Sequence, residues 1–184
     1  RFLWRLLNND RCVERNPVST PAETAVESWI NDFVIEHNLC PFAAKELRAG
    51  RVRITETQAS DEEALLLALH EELDLLFVNA ELETTLLVHP YVLEDFSAYN
   101  DFLDLADELI FSLGLEGTIQ IASFHPDYCF AETQPESPEN KTNRSPFPLL
   151  HLLREDSVAK AAASHPDVDA IPQRNIELMK SLFS

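Results

Sequence analysis

The sequence predicts an α/β fold: a single-domain layered sandwich around a mixed, mostly parallel sheet of about four strands. Three observations predict it. Short apolar runs alternate with helix-length amphipathic stretches in the order expected of βαβ units. Two of those runs, Leu86-Leu87-Val88-His89-Pro90 and Ile119-Gln120-Ile121-Ala122-Ser123-Phe124-His125-Pro126, end in His-Pro. There the proline favours extended geometry before it and withholds an N–H from any ladder, so the strand stops with a histidine at its carboxyl end. Finally, 184 residues with 45% hydrophobic content suit one domain with a substantial core.

Thr20-Pro21-Ala22-Glu23 opens the first helix, with Thr as N-cap, Pro at the first position and Glu closing a capping box. Val26, Trp29, Ile30, Phe33, Val34 and His37 follow at helical spacing. Pro41 is expected to open a short second helix ending near Gly50, and Arg51 to Glu56 alternates as a half-buried strand does. Ser60-Asp61-Glu62-Glu63 reads as a second capping box, starting a helix to about Phe77, and Thr84 to His89 is the second strand. Asp95 can cap a helix carrying Tyr99, Phe102, Leu103, Ala106, Leu109, Ile110 and Leu113, stopped by Gly114.

Thr118 to Phe124 is the third strand, and residues 126–148, with five prolines, read as a long loop. Leu149 to Leu153 is assigned as a fourth strand, with an early helix as the alternative. Asp156 or Ser157 can cap a helix to about Ser164, and Pro172 opens a terminal helix through Leu182. Right-handed crossovers make the first three strands parallel, with residues 84–89 and 118–124 as neighbours and the fourth strand antiparallel. Alternation in strands one and three predicts one sheet face well covered and the other less so.

Charge narrows the function. The chain carries 14 Lys+Arg against 32 Asp+Glu. Residues 1–19 resemble a fragment end or upstream read-through and are set apart from the fold, with residues 20–184 as the domain. Beyond that tail the balance is 10 bases to 30 acids. Such a surface repels phosphate backbones and anionic headgroups, so neither nucleic acid nor a membrane is an expected partner. The longest apolar run, Ala64 to Leu69, is too short to span a bilayer. Cys12, Cys40 and Cys129 form no CxxC pair, which fits a reducing cytoplasm. With only three glycines, a Walker loop and a dinucleotide fingerprint are both excluded, and the cofactor, if one is used, is unknown.

Three constellations carry chemistry. His89 and His125, at strand ends where α/β sheets bind ligands, are candidate acid/base residues, against the plainer reading that each hydrogen-bonds its own turn. His151 could reach the same rim, and three histidines could hold a zinc, though their spacing matches no zinc signature. The segment Asn140 to Pro146, with Asn143, Arg144 and Ser145, gathers donors suited to a carboxylate or phosphate, against an exposed polar loop. His37-Asn38-Leu39-Cys40-Pro41 places a thiol three residues after a histidine at a helix start, the wiring of an activated cysteine. The expected outcome there is burial of Cys40 against Trp29 and Phe33.

His37-Asn38-Leu39-Cys40-Pro41-Phe42-Ala43, Phe124-His125-Pro126-Asp127-Tyr128 and Asn143-Arg144-Ser145-Pro146-Phe147-Pro148 followed by His151-Leu152-Leu153-Arg154-Glu155 together resemble a bacterial family, domain of unknown function 1415. The likeness spans about residues 20–183 and includes Ile171-Pro172-Gln173-Arg174-Asn175. It implies a small soluble bacterial protein and assigns no catalytic residue.

The leading expectation is an enzyme acting on a small anionic metabolite at the carboxyl ends of the parallel strands. Asn143, Arg144, Ser145 and His151 would bind it, and His125 or His89 would serve as acid/base. Two alternatives stand beside it: a non-catalytic adaptor using the Pro-rich loop over residues 133–148, and a thiol enzyme using Cys40 with His37.

Overall fold

The computed structural model describes residues 19–164 and 167–183; residues 1–18 of the expected tail, with Cys12, lie outside them. Helix α1 (Pro21–Trp29) starts as its sequence predicts. Thr20 Oγ1 accepts from Glu23 N–H, and the Glu23 carboxylate accepts from Thr20 N–H. The coil then widens into a π-helical stretch over Ile30–Ile35, which periodicity alone does not reveal. Helix α2 (Ala43–Arg48) leads to β1 (Val52–Glu56), α3 (Glu62–Val78) and β2 (Thr84–Val88). The N-cap of α3 is Asp61, accepting from Ala64 N–H at 2.8 Å, one residue later than the capping box starting at Ser60 predicts.

Asp95 caps α4 (Phe96–Leu113), and Gly114 ends it in the left-handed region, at φ 68°. Strand β3 (Ile119–Phe124) follows, then the long loop with a short 3₁₀ turn over Pro138–Thr142. Leu149–Arg154 is strand β4, resolving the strand-or-helix alternative; α5 (Glu155–Ser164) and α6 (Ile171–Phe183) complete the chain.

The four strands form one mixed sheet in the order β1-β2-β4-β3. β1 and β2 pair in parallel, and β4 runs antiparallel to both neighbours. β2 and β3 therefore point the same way, as expected, but they are not neighbours. The reason is geometric: a crossover as long as α4 can span an extra strand position, roughly 4.8 Å of sheet. The returning chain fills that slot. β2 and β4 are the central strands and read as near-continuous apolar runs; β2 is buried throughout, whereas His151 and Leu153 of β4 are only partly buried.

The two faces are covered unequally. On one, Leu87, Leu150, Leu152 and Ile119 pack against α3 and α4. Leu65, Leu69, Leu73 and Leu76 of α3 are wholly buried in that layer, each contributing about 1.5–3 kcal/mol of transfer free energy. Arg154 ties the layer to the sheet, donating to the carbonyls of Leu76, Asn79 and Leu82 at the end of α3. On the other face, Ala22, Val26 and Ile30 cover only the region around Leu86, Val88 and Leu149. Among the described residues, the rest of that face borders a cavity. No helix among the described residues is long and apolar enough to cross a membrane.

Candidate functional site: an apolar cavity over the open sheet face

The open face floors a cavity of about 1260 Å³. Thr84 and Leu86 of β2, Ala122 and Phe124 of β3, and His151 and Leu153 of β4 form the floor. Trp29, Ile30 and Val34 close one side, joined by Leu39, Phe42 and Leu47 around α2. Val158 and Ala161 of α5, Ile171 and Ile176 of α6, and Phe130 of the loop close the other. Apolar walls of this extent with few inward polar groups are the usual setting of a small-molecule site.

The polar group at the centre of the floor is His151. Thr84 Oγ1 donates to the carbonyl of Leu152 at 2.6 Å, which uses its single hydroxyl proton. The 2.7 Å bond between Thr84 Oγ1 and His151 Nε2 must therefore be donated by the imidazole. That places the proton on Nε2 and leaves a lone pair on Nδ1. Desolvation lowers the pKa of His151 to about 4, so the ring is neutral at neutral pH.

The other two histidines lie across the sheet. Side chains alternate between faces along a strand, so His89 after Val88 and His125 after Phe124 turn toward α4. Both are 0% exposed, and neither lines this cavity. Each is in ring contact with Tyr99, with centroids at 5.8 and 5.1 Å. His89 Nδ1–H donates to Val92 O, and desolvation lowers its pKa to about 4. His125 accepts from Asp127 N–H at Nδ1 and donates from Nε2 to Leu93 O; desolvation lowers its pKa too. The expectation that His151 joins them is overturned, because the sheet stands between, and a three-histidine zinc site has no geometry here.

The loop expected to grip an anion is bound to itself. Arg144 Nε donates to Tyr128 O at 3.1 Å and its Nη2 to Pro135 O at 2.6 Å. Ser145 Oγ is buried and donates to Phe147 O. Asn143 lines the cavity, but its amide donates to Ser123 O. Asn140, fully buried, holds the loop's centre by accepting from Phe130 N–H and Thr133 Oγ1 and donating to Gln134 O. Residues 133–148 are thus a folded wall of the cavity.

Cys40 corrects the expected burial. It is exposed and lines the cavity, while Leu39 takes the buried position. Helix α2 starts at Ala43 with no side-chain cap, so Cys40 caps nothing. His37 packs edge-on against Phe33 at 5.3 Å, and among the described residues no hydrogen bond joins it to Cys40. The corner is fixed from α6: Asn175 Nδ2 donates to Leu39 O at 2.8 Å and Arg174 to Asn38 O.

Sequence reasoning named His151 and Asn143 as binding residues but missed the rest of the floor. Leu86, Ala122 and Phe124 were legible as strand residues, but nothing in the sequence says which face a helix leaves bare. The small side chain of Ala122 between Gln120 and Phe124, its neighbours on the same strand face, is the one local signal of depth.

The segments that carry the family likeness meet around this cavity. His125 N–H donates to Asn143 O, and the 38–40 corner is bonded to Arg174 and Asn175. A family model described as protein of unknown function, DUF1415, matches residues 21–184. No curated relative and no solved structure matches the chain.

Proposed function

Because the chain belongs to the DUF1415 family, whose description carries no activity, we propose its function from its own cavity: it binds a predominantly apolar small molecule against the open face of the sheet. The observation that carries this reading is the cavity of about 1260 Å³, floored by Leu86, Ala122, Phe124, Leu153 and one neutral histidine. Leaving that much apolar surface bare costs stability, at roughly 25 cal/mol per Å², and a ligand recovers it. The reading departs from an anion held by Arg144, since that guanidinium is committed to two backbone carbonyls.

The test is a thermal-shift screen of apolar small molecules on the wild-type protein and on Ala122→Trp. The indole grows from β3 beside His151 and occupies the part of the cavity over that ring. Ligands should raise Tm of the wild type and leave the variant unmoved. Equal stabilisation of both would remove the cavity from the account.

A second reading, thiol chemistry, is favoured by one observation: Cys40 is exposed on the wall of the same cavity. A covalent step there would add the Cys40 sulfur to an electrophilic carbon–carbon double bond of the held ligand, opening its π bond and passing the thiol proton to the adjacent carbon. Loss of turnover in Cys40→Ser, with ligand binding intact, is the result that supports it.

A further inference from the structure

We propose that the cavity selects its ligand by a hydroxyl group: an apolar, uncharged molecule whose O–H donates to Nδ1 of His151, in preference to a carboxylate on the same skeleton. The proposal rests on the apolar-cavity reading above and names the ligand class for it.

Thr84 sets the chemistry of the floor. With its proton spent on Leu152 O, the hydroxyl can only accept from His151, so Thr84 fixes the Nε2–H tautomer. No described residue hydrogen-bonds Nδ1, and the ring lines the cavity. What the floor offers a ligand is therefore one acceptor lone pair. The surrounding floor of Leu86, Ala122, Phe124 and Leu153 supplies no side-chain donor.

A carboxylate can only accept. Placed here it would lose its hydration and face a lone pair without compensation. A hydroxyl loses less on leaving water and makes the bond. The cations lining the cavity do not reverse this. Arg154 is committed to the carbonyls of Leu76, Asn79 and Leu82, and Lys45 and Arg51 share Glu46. Lys160, exposed in the lining, shares it with Glu83, Glu132 and Glu139. Four buried lining atoms lack a hydrogen-bond partner among the described residues: Glu83 Oε1, beside Thr84, and Glu46 Oε2 are acceptors, and Trp29 Nε1 and Arg51 Nε are donors that lie outside the three strands of the floor. The domain's excess of 30 acids over 10 bases beyond residue 19 also disfavours an anion.

The experiment is calorimetric titration at pH 7 of naphthylmethanol and of naphthoate, one ring system with two head groups. The alcohol should bind at least about tenfold more tightly, in line with the discrimination a dedicated polar contact provides. His151→Phe keeps the ring shape and should erase that preference. As a measurement on the unaltered protein, nitrogen NMR of ring-labelled histidine should show Nε2 protonated and Nδ1 bare, with Nδ1 moving as alcohol is added. Equal or tighter binding of naphthoate, or a preference unchanged in His151→Phe, would overturn the hydroxyl assignment. If Ala122→Trp still abolished both in that case, the cavity reading would stand. If neither probe bound the wild type, both readings would fall.

Discussion

His89 and His125 donate to consecutive carbonyls: Nδ1–H of His89 to Val92 at 3.0 Å, and Nε2–H of His125 to Leu93 at 3.2 Å. Leu93 sits in the left-handed region at φ 59°, a conformation that costs a non-glycine residue about 1–2 kcal/mol. The two imidazoles hold the turn between β2 and α4 in that shape. The His-Pro strand ends therefore serve the architecture of the turn.

Replacing His125 by Ala should destabilise the protein by about 2–4 kcal/mol. It leaves Leu93 O and Asp127 N–H without their partners and opens a cavity beside Tyr99. Urea unfolding measures it. A loss well under 1 kcal/mol, or loss of ligand binding without loss of stability, would return His125 to a direct functional role.

Acid should unfold the protein through histidines that the fold desolvates. His89 and His151 both have pKa values lowered from near 6.5 to about 4. As pH falls through that window the unfolded chain takes up protons that the folded chain refuses. The stability contributed by the neutral rings is complete above about 6.5 and is lost toward 4. The urea midpoint should fall across that range, with a shallower slope in His151→Phe. An unchanged slope in that variant would show that His151 takes up its proton equally in the two states.

Cys40 and Cys129 should separate by reactivity. Cys40 is exposed, whereas Cys129 is half-buried against Thr133 and Asn140. Iodoacetamide at pH 7 should label Cys40 in the native protein and Cys129 only on unfolding, and a cavity ligand should slow the labelling of Cys40. Mass spectrometry of the digested protein reads both. Preferential labelling of Cys129 would contradict the placement of this corner.

Arg144→Ala should loosen the loop and leave the sheet intact. Two hydrogen bonds from the guanidinium to Tyr128 O and Pro135 O are lost, at about 1–3 kcal/mol for bonds from a charged donor. Limited proteolysis should then cut between residues 128 and 144, a region the wild type protects. Resistance equal to wild type would mean that Asn140 alone holds the wall.

Much of the fold was legible because local chemistry decided it. The Thr20 capping box, the Asp95 cap, Gly114 and the two His-Pro stops each act through neighbours in sequence. Strand order was not local. The insertion of Leu149–Arg154 between β2 and β3 depends on a chain returning through a long loop, which no residue pattern in β2 or β3 records. The site failed to be legible for a related reason. One residue of register decides which face a histidine takes, so His89 and His151 look alike in sequence yet stand on opposite sides of the sheet. At the 38–40 corner, Leu39 and Cys40 compete for one buried place, and the larger hydrophobe takes it.

The central claim, that a ligand binds on the open face, is tested most directly by methyl NMR during titration with naphthylmethanol. Signals from Ala122, Leu86 and Ile176, which line the cavity, should shift together and saturate. Those of Leu73, Leu87 and Leu150, buried in the layer under α3 and α4, should stay close to their starting positions. Saturable shifts confined to that opposite layer, or none at Ala122 while the protein binds the probe, would contradict the account.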